Sequence, residues 1–162
     1  MMKANSLNLK NFFLNNLVKL YPIGESKIAP GTLASLITLF IGLYLILNLS
    51  IINFTLFIFF SIIISYFGIK NYLSLNKVHD PPEIVIDEFI GQLISMLPLM
   101  LIEINYLNVF ICFILFRFFD ISKIGLKKIE KIPGAWGILL DDIVAGLYSC
   151  FVQIILWAYL NS

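Results

Sequence analysis

The chain has 162 residues, of which 60% are hydrophobic and 13% charged, with a mean hydropathy of +0.95 and a formal net charge of +1. Soluble domains carry about 45–50% apolar and about 25% charged residues. The composition therefore excludes a water-soluble globule and a basic nucleic-acid surface, and it fits one membrane domain over residues 1–162.

The first stretch, Leu7–Tyr21, is broken by Asn8, Lys10, Asn11, Asn15, Asn16 and Lys19, so it lacks the unbroken apolar core of a secretory signal. Leu9, Phe12, Phe13, Asn16, Leu17 and Leu20 suggest instead an amphipathic helix lying on the membrane surface, within an interfacial segment of residues 1–28. Pro30 and Gly31 break that segment, and Thr32 is placed to cap the helix that follows. A spanning helix needs about 20 mostly apolar residues. Candidate spans are Thr32–Leu49, Ile51–Gly68, Ile84–Ile104, Tyr106–Asp120 and Ile138–Leu160. The expected fold is all-α: a bundle of about five transmembrane helices over residues 29–160, plus the N-terminal surface helix.

The connections alternate in character. Residues 1–31, 69–83 and 121–137 are polar, whereas 48–53, 103–106 and 161–162 are nearly bare. With five spans, all 11 lysines and arginines fall in or beside the first group. The excess of cations predicts a cytoplasmic N-terminus and an outer C-terminus. Of the acids, only Glu103 falls on the outer side. Cys112 and Cys150 sit inside apolar runs without CxxC spacing, as small buried or lipid-facing residues do. The lone histidine, His79, lies beside Asp80 in a polar loop and reads as a loop residue.

Asp87-Glu88 and Asp141-Asp142 each stand about one turn inside the start of a span, and Asp120 stands at the end of another. An acid within a span costs up to about 3 kcal/mol, and clustered carboxylates repel one another. Any one of these acids is also explained as a helix N-terminal charge meeting the dipole. Both pairs together, inside apolar runs, point to a divalent cation, and Mg2+ prefers carboxylate oxygens, water and phosphate. Arg117 and the lysines are the other available partners. Arg117, Asp120 and Lys123 are spaced i, i+3, i+6 and share a helix face. An arginine and a lysine there suit phosphate oxygens; taken alone they read as a helix ion pair and a snorkelling lysine. The Thr32 hydroxyl and the backbone around it could contact phosphate as well as cap. Gly134, in Ile132-Pro133-Gly134-Ala135-Trp136-Gly137, would let backbone approach a ligand closely.

These motifs resemble the phosphatidylglycerophosphatase A family of bacterial membrane enzymes. The matching strings are Ala29-Pro30-Gly31-Thr32 with Ser35, Asp80 through Asp87-Glu88-Phe89-Ile90-Gly91, Phe116-Arg117-Phe118-Phe119-Asp120 with Lys123, and Pro133-Gly134 through Gly137-Ile138-Leu139-Leu140-Asp141-Asp142-Ile143-Val144-Ala145-Gly146. Two positions depart from the family. Ile124 follows Lys123 where a proline is usual, which would let the helix run on, and Ala135 replaces the second glycine of a pair.

The resemblance implies Mg2+-dependent hydrolysis of phosphatidylglycerophosphate to phosphatidylglycerol and inorganic phosphate, at the cytoplasmic face of a bacterial inner membrane. It implies catalytic roles for Asp87, Glu88, Asp120, Asp141 and Asp142, with Asp87, Glu88, Asp141 and Asp142 as magnesium ligands. Arg117, Lys123, Thr32 and Gly134 would bind the substrate phosphate. Absences agree with this: neither cysteine opens a phosphate-cradling loop, paired histidines are lacking, and no Asp-x-Asp string occurs. The alternatives are a phosphatase for another lipid phosphate, a small ion or proton carrier, and a non-catalytic membrane scaffold. Intramembrane acids also mark ion pathways, but here they gather at one face and do not step across the bilayer.

Overall fold

A computed structural model describes residues 2–78, 81–126, 129 and 131–160, with backbone alone for residues 2–8. His79, Asp80, Lys127, Lys128 and Glu130, to which the sequence assigns polar connections, lie outside the described residues. Those residues form six α-helices and no strand: α1 (Met2–Val18), α2 (Pro30–Asn48), α3 (Ile51–Asn76), α4 (Ile86–Ser95), α5 (Tyr106–Ser122) and α6 (Ala135–Leu160). Short 3-10 turns add Ile23–Glu25 and Leu97–Met100. Among the described residues, α2, α3 and α6 are long and apolar enough to cross a membrane. Their outward faces leave Phe40, Tyr44, Phe59, Phe60 and Phe151 exposed, an apolar surface that calls for lipid rather than water.

Each helix boundary has a local cause. Pro30 occupies the first turn of α2, where a missing N–H leaves no bond unmade. The expected Thr32 cap is therefore not formed: Thr32 lies inside the helix, and Ala29, in the left-handed region at φ 43°, precedes it without a side-chain cap. Ser50 caps α3 by accepting from the Asn53 N–H at 3.3 Å. Asn105 does the same for α5, accepting from Asn108 N–H at 2.9 Å. The helix does not run on past Lys123, as Ile124 suggested it would. Lys123 itself adopts a left-handed conformation, φ 49°, and closes α5 with its N–H donating to the Phe119 carbonyl at 3.0 Å.

The largest correction concerns the span expected over Ile84–Ile104. The helix stops at Ser95 after 10 residues, a rise of about 15 Å, and Pro98 in the following 3-10 turn cannot extend it. This short helix is the buried centre of the bundle. Ile86, Ile90, Gly91, Gln92, Leu93, Ile94 and Ser95 are all buried, and α2, α3, α5 and α6 pack around them. A helix that ends inside an apolar bundle leaves carbonyls without intrahelical partners. Here α5 and α6 supply donors. Cys112 donates to Ser95 O at 3.3 Å, Gln153 to Ser95 O at 2.8 Å, and Cys150 to Ile94 O at 2.8 Å.

α4 and α6 meet at glycines. A Cβ on Gly146 would lie 2.5 Å from the Gly91 carbonyl oxygen, so only glycine lets the two backbones come so close. That contact sets Asp87-Glu88, in the first turn of α4, close to Asp142, about two turns into α6. α1 packs on α3, with the Asn71 amide donating to Asn11 at 3.3 Å. Its Leu9, Phe12 and Phe13 remain exposed.

Candidate functional site

The bundle carries a cavity of about 660 Å³ at the end where α2, α4 and α6 begin and α5 finishes. All nine residues singled out from sequence line it: Thr32, Asp87, Glu88, Arg117, Asp120, Lys123, Gly134, Asp141 and Asp142. Four helices contribute, so the alternation of helix direction has brought residues 110 positions apart in the chain to one volume.

Within it the acids divide into two groups. Asp87, Glu88 and Asp142 each turn a carboxylate oxygen to one point, the three oxygens lying within 4.8 Å of one another. Asp87 Oδ1 and Glu88 Oε2 are buried and have no hydrogen-bond partner. Gly31 makes room for this arrangement, because a Cβ there would run into the Glu88 carboxylate. Asp141, expected to act with its neighbour, faces elsewhere. Its Oδ2 accepts from Lys123 Nζ at 2.5 Å and its Oδ1 from the Asp142 backbone N–H at 3.1 Å.

The cations are held by the remaining acids. Asp120, 7% exposed, accepts from Arg117 Nη1 at 2.6 Å on one oxygen and from Lys123 Nζ at 2.9 Å on the other. Lys123 Nζ also lies 3.6 Å from Asp142 Oδ1. Burial works against the Lys123 charge, but Asp142 and Asp120 together raise its pKa above the ordinary lysine value, so it stays an ammonium. The left-handed turn at Lys123 folds its side chain back among these carboxylates. Gly134 also lies in the left-handed region, φ 78°, and starts the tight turn into α6 by accepting from the Gly137 N–H at 3.0 Å.

Several residues at or beside the site were given no role from sequence. Ser35 is fully buried, and its hydroxyl accepts from Arg117 Nη1 at 3.2 Å. Its place four residues after Gly31 puts both on one face of α2, but nothing in the spacing identifies a partner on α5. Lys131, Pro81 and Pro82 also line the cavity and were likewise assigned nothing.

Three carboxylates converging beside an arginine and a lysine, at one end of an apolar bundle, are the groups that suit a membrane lipid phosphatase. The profile of the phosphatidylglycerophosphatase A family matches residues 16–157, and the chain belongs to that family. It is 30% identical over 150 residues to the phosphatidylglycerophosphatase A of Haemophilus influenzae, covering 89% of this chain and 91% of the relative. It is 33% identical over 128 residues to the protein of the same name from Escherichia coli, covering 78% and 73%. A Bacteroides thetaiotaomicron protein, provisionally named a phosphatidylinositol-3-phosphatase, is 34% identical over 134 residues, covering 78% and 82%. No solved structure matches the chain.

Proposed function

We propose that the chain hydrolyses phosphatidylglycerophosphate to phosphatidylglycerol and inorganic phosphate, using Mg2+ at the cytoplasmic face of a bacterial inner membrane. The observation that carries this reading is the convergence of Asp87, Glu88 and Asp142 next to Arg117 and Lys123 in one open cavity. The donor set fits the cation. It offers carboxylate oxygens only, two of them buried without a partner, and hard oxygen ligands are what Mg2+ prefers. When bound, the cation would neutralise these carboxylates and withdraw electron density from a phosphoryl oxygen.

The chain's own groups then have distinct tasks. Asp87, Glu88 and Asp142 hold the ion. Arg117 and Lys123 counter the charge on the phosphoryl oxygens, which together with positioning is most of what phosphoryl transfer requires. Asp120 engages both cations, one on each oxygen, so it orients them rather than acting as a free base. Asp141 orients Lys123 and, through its neighbour's N–H, the Asp142 backbone. Thr32 and the Gly134 turn form the wall against which the phosphate would rest. In the membrane, α4 with its 3-10 turn would make a third crossing between those of α3 and α5, and α1 would lie at the interface, giving five crossings with the N-terminus inside. Arg117, Lys123 and Lys131 line the cavity, which agrees with that orientation.

The name of the Bacteroides relative favours a second substrate, an inositol lipid phosphate, on the same machinery. Phosphate release from phosphatidylglycerophosphate and from phosphatidylinositol 3-phosphate in detergent, with Mg2+ or with excess EDTA, separates the two. Release from the first lipid that requires Mg2+ and is lost in Asp142→Asn supports the proposal. Faster release from the second would replace the substrate, and release that persists in EDTA would remove the metal.

A further inference from the structure

We infer that Ser35 is a positioning residue for Arg117, fixing the guanidinium so that its Nε edge faces the substrate phosphate; the inference rests on the phosphatase reading of the cavity. Arg117 is anchored at one nitrogen. Nη1 donates to Asp120 Oδ2 at 2.6 Å and to Ser35 Oγ at 3.2 Å. Nε is buried and meets no protein acceptor, although Arg117 lines the cavity. A guanidinium held at Nη1 presents its other edge, and that edge is the one that makes paired hydrogen bonds to a phosphate.

Asp120 alone does not fix this orientation. It lies three residues from Arg117 on the same helix, and a single contact at 2.6 Å leaves the guanidinium free to swing about it. Ser35 reaches from a different helix and provides the second point. Its own rotamer is set, because its O–H donates to the Gly31 carbonyl at 2.9 Å, which turns the oxygen lone pairs toward α5. The donor to Ser35 is thus a charged nitrogen, and the acceptor cannot rotate away without losing its own bond. Gly31, one turn earlier, clears the space that the Glu88 carboxylate fills. One face of α2 therefore sets both the acid and the base sides of the cavity.

Thr38, one turn deeper on α2, is an internal control. It is equally buried, and its hydroxyl makes the same kind of bond, to Ala34 O at 2.7 Å, but it is Ser35 that receives the Arg117 donor.

The test is kcat and KM for phosphate release in detergent–lipid micelles with Mg2+, for wild type, Ser35→Ala, Thr38→Ala, Arg117→Lys and the Ser35→Ala/Arg117→Lys double variant. Alanine suits a helix interior, so Ser35→Ala folds. The expected result is a KM raised about tenfold or more in Ser35→Ala, with kcat within about twofold of wild type, as loss of one hydrogen bond from a charged donor predicts. Thr38→Ala stays at wild-type values. On the Arg117→Lys background, Ser35→Ala adds less than about twofold, because the group it positions is already gone. An effect of equal size on both backgrounds, or an unchanged KM, overturns the inference. Affinity for inorganic phosphate, read by calorimetry on the same proteins, should fall in the same order whichever lipid is turned over. Wild type that binds phosphate more tightly than Ser35→Ala, yet releases none from phosphatidylglycerophosphate, would overturn the substrate and leave the role of Ser35 standing.

Discussion

The two acidic pairs look alike in sequence and differ in the fold. Asp87-Glu88 lies in the first turn of α4 and Asp141-Asp142 about two turns into α6, each within an apolar run, each a few residues before a glycine. On α4 both members turn to the same point. On α6 only Asp142 does, and Asp141 turns to Lys123 at 2.5 Å. Adjacent helical residues point about 100° apart, so a pair brackets a site only when the helix presents the gap between its members to it. α4 lies at the centre of the bundle and has cavity on that side of its first turn. α6 is pressed against α4 at Gly91 and Gly146, and this contact aims one carboxylate inward and leaves the next beside the end of α5. In the proposed reading the first pair would therefore hold metal as a whole, and the second would be split between metal and support.

The sharpest way to break that division is to neutralise each acid in turn. Asp87→Asn and Asp142→Asn should lose the most: removing one ligand forfeits several kcal/mol of charge stabilisation, about a thousandfold in rate. Higher Mg2+ should restore part of this loss in either variant if the ligand set weakens rather than disappears, as a titration of rate against metal concentration would read. Removal of the metal from wild type by EDTA should reach the same floor, with full recovery on adding Mg2+ back. An Asp141→Asn variant as inactive as Asp142→Asn, with an equal shift in Mg2+ dependence, would abolish the distinction between the two members.

For Asp141→Asn the expected loss is smaller, about 10- to 100-fold, as for groups that orient a ligand rather than bind it. Its signature is a dependence on Lys123. Lys123→Met should lose a similar amount, and the double variant should lose little more than the worse single one, since the two residues act through one contact. Steady-state rates for the four proteins give the coupling directly. Multiplied losses would mean that Asp141 works independently of Lys123.

The chemistry of this site was legible in the sequence, and its arrangement was not. Acids inside apolar runs are costly enough to stand out, and the i, i+3 spacing of Arg117 and Asp120 states their pairing outright. Helices α2, α3, α5 and α6 were readable from apolar length and from the short, nearly uncharged connections at 48–53 and 103–106. Ser35 was readable only as a residue of a recurring string, because its partner is 82 residues away on another helix. The splitting of the second acidic pair depends on the rotation of α6, which is set by a glycine contact between helices. The break in α4 was hidden for a related reason. Apart from Asp87, Glu88, Gln92 and Glu103, the run Ile84–Ile104 is largely apolar with one proline, and such a run reads as a full span. The donors that make a break tolerable, Cys112, Cys150 and Gln153, come from two other helices.

The glycine contact can be tested at lower amplitude than the charges. Gly146→Ala places a methyl against the Gly91 carbonyl and the Ile94 side chain, so α6 must move outward by a few tenths of an ångström or more. This should lower thermal stability in detergent by about 1–3 kcal/mol. Activity should fall further than a stability loss of that size explains, because Asp142 moves with α6 while Asp87 and Glu88 stay. A variant that loses stability and keeps full activity at low temperature would show that the acid geometry does not depend on this approach.

The smallest expected effect lies away from the site, at the broken end of α4. Gln153 donates to Ser95 O at 2.8 Å, and also to Ser149. Gln153→Leu removes the donor and keeps most of the volume, leaving Ser95 O with Cys112 as its remaining side-chain donor. Hydrogen bonds between helices in membranes average about 0.6 kcal/mol, so the loss should be near 1 kcal/mol by thermal or SDS unfolding, with rates unchanged at temperatures where the protein stays folded. Cys112→Ser keeps a donor in place and should be close to neutral. A loss of several kcal/mol in Gln153→Leu would mean that the break in α4 rests on this one amide rather than on three donors from two helices.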